Sequence, residues 1–172
     1  RFMTGYIVNP NMEADGDQGY DGTVTGWTYT TDATNHGTLN GQTGAFTGHA
    51  FENWKSAGLT DGKIYQTVTD MPDGVYRFDL AAMVRTTTNQ FIYVKSNNKT
   101  FRTYLSAANE TAAAYSVYAI ASGGSMEIGL DINASGIDWA AIDNAALTYY
   151  GTGADAYELV HTQEKTLLNT IA

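Results

Sequence analysis

Aromatic and cationic side chains occupy alternate positions along two segments, as they would on the outward face of neighbouring β-strands. Aromatic rings stack on the C–H faces of sugar rings, and planar guanidinium groups donate hydrogen bonds to hydroxyls. If this row is uncovered, it suits a glycan ligand. The alternative is that a second sheet or a loop covers the row, so that its rings belong to the core. The row consists of Arg77, Arg85, Phe91, Tyr93 and Lys95.

The three tryptophans, Trp27, Trp54 and Trp139, allow the same two interpretations. Tryptophan is seldom fully exposed without a purpose, but it is often simply part of a core. The sequence leaves both possibilities open for each of them.

Asp143 alternates with Trp139, Ala141, Ala145 and Leu147, and we expect these five residues to share one face of a closing strand. A carboxylate on such a face needs a partner, because an uncompensated buried charge is costly. A Ca²⁺ ion or backbone N–H groups would serve. An acidic loop with Asp15, Asp17 and Asp21 also offers hard oxygen ligands to calcium, although its spacing does not match an EF-hand and a solvated loop is the alternative.

No arrangement of catalytic groups can be recognised in the sequence. The three histidines show neither His-x-His nor HExxH spacing, there is no GxSxG motif, and the chain has no cysteine. Carboxylates that could act in glycoside hydrolysis are present, but no pair stands out. A polysaccharide lyase or glycoside hydrolase is therefore the least favoured function.

The elements that must position these residues have a β pattern. Apolar residues alternate from Tyr76 to Val84 after a Pro72–Gly74 turn, and further strands are predicted at Thr100–Leu105 and Tyr115–Ala121. Strands that recur at this spacing are typical of a sandwich or jelly roll. After Gly151 the spacing becomes helical.

Length and charge narrow the possible partners. The 172 residues suit one domain, and a net charge of −9 argues against nucleic acid, whose phosphates require clustered cations. No apolar run approaches the length of a transmembrane segment. Because Arg1 is not an initiator methionine, we expect that a targeting segment has been removed.

Short pieces of sequence, taken in order, resemble the galactose-binding-domain-like β-sandwich modules of exported bacterial glycan-degrading proteins. The matching pieces are Ile7–Glu13, Ala50–Trp54, Tyr65–Val68, Pro72–Arg77, Met126–Gly129 and Asp138–Gly151. The resemblance implies an all-β jelly-roll sandwich with a non-catalytic, carbohydrate-binding role. It also implies a structural Ca²⁺ between the opening loop and the last strand, held by Asn9, Glu13 and Asp143.

The resulting hypothesis is a polysaccharide-binding module, residues 1–151, followed by a linker and the start of a helical region, residues 152–172. We expect it to belong to a larger exported protein at the periplasm, cell surface or cell exterior, next to other domains. The expected sugar contacts are Trp54, Arg85 and Tyr93, with Trp27 and Asn89 behind them.

The alternative is a structural or protein-interaction spacer without a sugar ligand. Burial or internal salt bridges at Trp54, Arg85 and Tyr93 would favour that spacer.

Overall fold

The computed structural model describes residues 1–40, 43–134 and 136–171, and these residues form ten strands and a C-terminal α-helix. The strands are β1 (Thr28–Tyr29), β2 (Thr38–Leu39), β3 (Ala50–Trp54), β4 (Lys63–Thr69), β5 (Gly74–Val84), β6 (Phe91–Ser96), β7 (Lys99–Tyr104), β8 (Ala113–Ala121), β9 (Ser125–Asp131) and β10 (Trp139–Gly151). A short 3-10 helix spans Thr4–Tyr6, and helix α1 spans Ala154–Ile171.

Two antiparallel five-stranded sheets make a β-sandwich. Sheet A has the order β2-β3-β10-β5-β8, and sheet B has the order β1-β4-β9-β6-β7. The predicted all-β sandwich with a helical tail is confirmed. None of the described helices is long and apolar enough to cross a membrane.

The opening segment lies along the last strand, as expected from the family resemblance, which puts the opening loop next to that strand. Phe2 forms a bridge with Thr148, and the amide of Met3 donates to the carbonyl of Leu147 at 2.8 Å. Further along, the amide of Ala145 donates to the carbonyl of Pro10 at 2.9 Å. The two chain ends therefore belong to one sandwich.

The core lies between the sheets and follows the predicted alternation. Every second side chain of β5 from Tyr76 to Val84 is buried in this core. Ile92 and Val94 of β6 belong to the same core and come from sheet B. Burial of these apolar surfaces is the main favourable contribution to folding.

A β-bulge corrects the prediction for the closing strand. Trp139, Ala141 and Asp143 face outward from sheet A, whereas Ala145 and Leu147 lie in the core. The register shifts after Asp143, where Asn144 adopts a φ of 52°, so two residues oppose one on β5. Such a bulge reverses the face on which later side chains lie. The five residues therefore do not share one face.

Helix α1 packs against the sandwich instead of standing apart from it. Ala156 and Val160 are buried in the main core, and the amide side chain of Gln163 pairs with the backbone of Tyr118 on the edge strand β8. The helix predicted from its spacing is thus present. The division of the chain at residue 151 stays a prediction.

Candidate functional site

Four side chains form one row across the outer face of sheet A. Trp54 of β3 lies directly opposite Trp139 of β10, and Asn35 forms a bridge with Trp54 on the other side. The amide of Arg85 donates to the carbonyl of Trp139 at 2.9 Å, and its guanidinium carbon lies 5.0 Å from the Trp139 ring centroid. Both tryptophans are partly exposed. The row thus presents two indoles and a guanidinium at the same surface.

This row lines a groove of about 420 Å³ at one end of the sheet. Its lining residues are Tyr20, Asn35, Leu39, Glu52, Trp54, Arg85 and Trp139. Towards the other end, Phe46 packs on Ala81, Met83 and Ala141 and forms a small second core with them. The loop that carries Phe46 therefore covers that part of the sheet, and the tryptophan end stays open.

Glu52 lies in the groove lining and is only 3% exposed. The indole N–H of Trp139 donates to its Oε1 at 3.0 Å, while Oε2 is buried and has no hydrogen-bond partner among the described residues. Burial raises the pKa of Glu52, and the hydrogen bond from Trp139 only partly opposes this effect. The groove thus contains a buried acceptor that still lacks a donor.

Arg85 joins the groove to a second depression of about 300 Å³, which Thr88 and Asp138 also line. Its Nε lies 2.5 Å from Oε1 of Glu110 and its Nη1 lies 3.0 Å from Oδ2 of Asp138. The hydrogen bond that Arg85 donates to Glu110, and after it the one that Arg85 donates to Asp138, raises the pKa of Arg85. Its side chain remains 38% exposed. Arg85 is therefore both ion-paired and accessible.

Tyr93 does not join this group. It lies on β6 of sheet B and is only 2% exposed, which corrects the expectation of an uncovered row. The prediction that Tyr93 faces away from the core between the sheets is correct, but side chains of neighbouring strands cover it. The hydroxyl of Tyr93 donates to Glu127 at 2.6 Å, and the Lys63 ammonium lies 5.6 Å from the centroid of its ring. Burial raises the pKa of Tyr93. Phe91, beside it, is buried as well.

The other two predicted contacts are also separate from the groove. Trp27 is buried in the core, and its indole N–H donates to the carbonyl of Asn9 at 2.9 Å. Asn89 is exposed in the loop after β5, next to Thr88 of the second depression. Of the five predicted contacts, the structure brings together Trp54 and Arg85.

Glu52 is a site residue that the sequence analysis did not identify, and Trp139 was left open there as either a sugar contact or a core residue. A signal for Glu52 exists, since it alternates with Ala50 and Trp54 in a strand whose other residues, Phe51 and Asn53, are buried in the sandwich. That alternation places Glu52 on the face of Trp54. Nothing local places Trp139 opposite Trp54, because 84 intervening residues separate the two in sequence.

The residues predicted to bind calcium lie near the bulge, and two of them have suitable donor chemistry. Glu13 accepts from the backbone and ring nitrogens of His49, both at 2.6 Å. Asp143 accepts from the amides of Thr47 and Asn144 at 2.9 and 2.8 Å, so backbone N–H groups do supply the partner that its carboxylate needs. Burial, aided by the charge of Glu13, raises the pKa of Asp143 to about 6.

Asn9 is used differently. Its Oδ1 accepts from the amide of Ala14 and its Nδ2 donates to the carbonyl of Thr25, both at 3.0 Å, which shapes the opening loop. In the acidic loop, Asp15 accepts from the amide and hydroxyl of Thr25. No group of three or more His, Cys, Asp or Glu among the described residues is arranged to hold a metal. Glu13 and Asp143 fit calcium by donor type alone, and the ion stays a prediction.

Comparison with known families assigns the chain. The model of the family described as "Domain of unknown function (DUF5013)" matches residues 7–134. The chain belongs to this family. No curated relative matches it.

Solved structures share the fold at low sequence identity. The carbohydrate-binding module TmCBM61, solved with β-1,4-galactotriose, is 17% identical with a TM-score of 0.60, and the match covers 84% of this chain and 98% of the module. A cyclase from Fischerella sp. TAU, solved with an indolylbutanone, is 13% identical with a TM-score of 0.56, over 86% and 98% of the two chains.

Tailspike protein 4 of bacteriophage CBA120 is 14% identical with a TM-score of 0.61, over 84% of this chain but only 21% of the tailspike chain. Modules of carbohydrate-binding families 22 and 4 also have this fold. The resemblance to carbohydrate-binding β-sandwich modules is thereby confirmed for the fold. Because one of these sandwiches is a cyclase, the fold alone does not determine the ligand.

Proposed function

We propose that this chain is a non-catalytic carbohydrate-binding module that tethers a larger exported bacterial protein to polysaccharide. The observation that carries this proposal is the pair of partly exposed indoles, Trp54 and Trp139, which lie on paired positions of neighbouring strands, with the Arg85 guanidinium over the Trp139 ring. Two adjacent indoles offer flat apolar surface to consecutive sugar rings, and guanidinium and carboxylate groups next to them can bind hydroxyls.

The shape of the groove supports a chain-like ligand. The groove and the second depression share Arg85, so that a bound oligosaccharide would extend across the strand ends at this end of sheet A. The fold shared with TmCBM61, which was solved with a galactotriose, also supports a sugar ligand.

Affinity electrophoresis of the chain in gels that contain plant, mucin or microbial polysaccharides tests the proposal. Wild type should be retarded by at least one polymer, and Trp54→Ala and Trp139→Ala should each lose most of that retardation. Tyr104→Ala is the matched control, since Tyr104 is an exposed aromatic residue on the opposite sheet. Tyr93→Phe, which removes the hydroxyl of a residue expected from sequence to bind sugar, should migrate as wild type does. Retardation that survives both tryptophan substitutions would contradict this site.

A structural spacer without a sugar ligand remains the second candidate, because two of the three residues expected to contact sugar are buried or form internal ion pairs. Arg85 forms two internal ion pairs and Tyr93 is buried, although Trp54 is partly exposed. Absence of retardation by every polysaccharide in the panel would favour the spacer.

A further inference from the structure

The charges around the groove are unbalanced. Among the described residues that line it, Glu52 and Arg85 are the charged ones, and Arg85 is already paired with Glu110 and Asp138. The group of three carboxylates and one guanidinium is net negative whether or not Glu52 carries a proton. The whole chain, at −9, has the same sign. An anionic ligand therefore meets repulsion at short range and at long range.

The hydrogen-bonding state of Glu52 adds a second, independent requirement. Its Oε2 is a buried acceptor without a donor among the described residues, although Oε1 is occupied by the indole of Trp139. Buried polar atoms in native proteins are nearly always paired, so an unpaired one at a groove indicates where a ligand donor is missing. A sugar hydroxyl is such a donor, whereas a carboxylate or sulfate ester group placed at Oε2, being only an acceptor, would leave it unpaired.

We infer that the groove selects uncharged glycans, that a sugar hydroxyl donates to Oε2 of Glu52, and that polymers bearing carboxylate or sulfate groups are rejected. This inference rests on the proposed function and names the ligand class of the same site. Oε2 is shielded in the free chain. The ligand therefore reaches it only when a bordering side chain of the groove moves aside, and Leu39 and the exposed Tyr20 border it.

The test uses polymers that share a backbone and differ in charge. Hydroxyethylcellulose is compared with carboxymethylcellulose, and methyl-esterified homogalacturonan with its de-esterified form. Neutral galactan and xylan extend the panel. We expect wild type to be retained more strongly by the neutral member of each pair that it binds, with the retention lost in Trp54→Ala. Stronger retention by the acidic member, lost in the same variant, would overturn the inference and leave the proposed function intact. Retention by no polymer, or retention unaffected by Trp54→Ala, would overturn both.

Substitutions at the carboxylates test the cause of the selectivity. Glu52→Gln should weaken binding of the best neutral glycan about tenfold, because the glutamine side chain has a single acceptor oxygen for both the Trp139 indole N–H and the sugar hydroxyl. Glu127→Gln, on the opposite sheet, is the matched control and should bind as wild type does. Unchanged affinity in Glu52→Gln would overturn the role of Glu52.

A second variant does not depend on the packing of the groove. Glu110→Gln changes a carboxylate whose side chain is 49% exposed, and it releases Arg85 from one ion pair. We expect this variant to retain acidic polymers more strongly than wild type does, at low salt above all. If its retention of acidic polymers equals that of wild type, charge does not govern the selectivity and the inference fails.

Discussion

The indole N–H of Trp139 donates to Oε1 of Glu52 across the β3–β10 pair, at 3.0 Å. This single bond joins the exposed surface of the groove to its buried carboxylate. Since the other oxygen of Glu52 has no partner among the described residues, Trp139 supplies most of the polar compensation that this carboxylate receives. The stability of the sheet and the geometry of the candidate site are thus linked through one side chain.

The first prediction concerns this bond. Trp139→Phe keeps an aromatic ring but removes the donor, so the free energy of unfolding at neutral pH should fall by about 1–3 kcal/mol, the cost of leaving a buried polar group unpaired. Trp54→Phe is the matched control, because it makes the same reduction in ring size at the neighbouring position and leaves the hydrogen bond from Trp139 to Glu52 in place. Urea titration of both variants measures the difference. Equal losses would show that the indole N–H contributes nothing specific.

The second prediction is a pH dependence with a defined sign. Burial raises the pKa of Glu52 above its ordinary value of 4.5, so the folded state binds the proton of this carboxyl group more tightly than the unfolded state does. The stability that this protonation contributes is therefore fully present below pH 4.5 and is lost as the pH rises through the pKa of Glu52 in the folded state. Glu52→Gln should therefore be more favourable relative to wild type at pH 8 than at pH 4. Unfolding free energies at the two pH values measure this difference.

Glu127→Gln provides a comparison of opposite sign. Burial alone would raise the pKa of Glu127, but hydrogen bonds from Lys63 and Tyr93 together lower it. Its contribution to stability is present above the unfolded pKa and is lost as the pH falls through the folded value. The substitution should therefore cost more at neutral than at acid pH. The same pH trend in both variants would contradict the assigned environments.

The third prediction concerns calcium. If Glu13 and Asp143 share a Ca²⁺ ion, EDTA should lower the melting temperature by several degrees and added Ca²⁺ should restore it, since a ligand bound only by the native state stabilises that state. Asp143→Asn should remove this response. Asp17→Asn, in the acidic loop, is the control and should preserve it. A melting temperature that is indifferent to EDTA and Ca²⁺ would remove Asn9, Glu13 and Asp143 from consideration as ligands.

Local alternation in the sequence was enough to predict much of the sandwich. The period of two along β5 and β6 identified the core faces correctly, as Phe78 and Ile92 show. The alternation failed after Asp143, because the bulge at Asn144 moves the following side chains to the other face of the sheet and leaves no mark in the composition of the strand. A bulge depends on the register between two strands, which a single segment does not specify.

The candidate site was predicted only in part, because exposure depends on residues that are distant in sequence. Tyr93 has the outward parity that was expected, yet Lys63 and Glu127 cover it from strands that pair with each other across the sheet. Trp54 gains its partner Trp139 through the register of β3 and β10. Residue types therefore supplied the candidates for the site, and the pairing of strands decides which of these side chains meet.

The last prediction tests how helix α1 is held. The side-chain amide of Gln163 accepts from the amide of Tyr118 at 2.6 Å and donates to its carbonyl at 2.7 Å, so it occupies the free backbone groups of edge strand β8. Gln163→Ala should lower the free energy of unfolding by about 1–2 kcal/mol, because two hydrogen bonds are lost and water can bond only some of the backbone groups that they leave exposed.

The neighbouring Thr162 is exposed, and Thr162→Ala is the matched control, expected to change stability by less than about 0.5 kcal/mol. Gln163→Ala should also increase self-association at high concentration, because an uncovered edge strand can pair with another chain. Urea titration and light scattering measure the two effects. If both variants behave alike, the docking of α1 depends on the apolar contacts of Ala156 and Val160 alone.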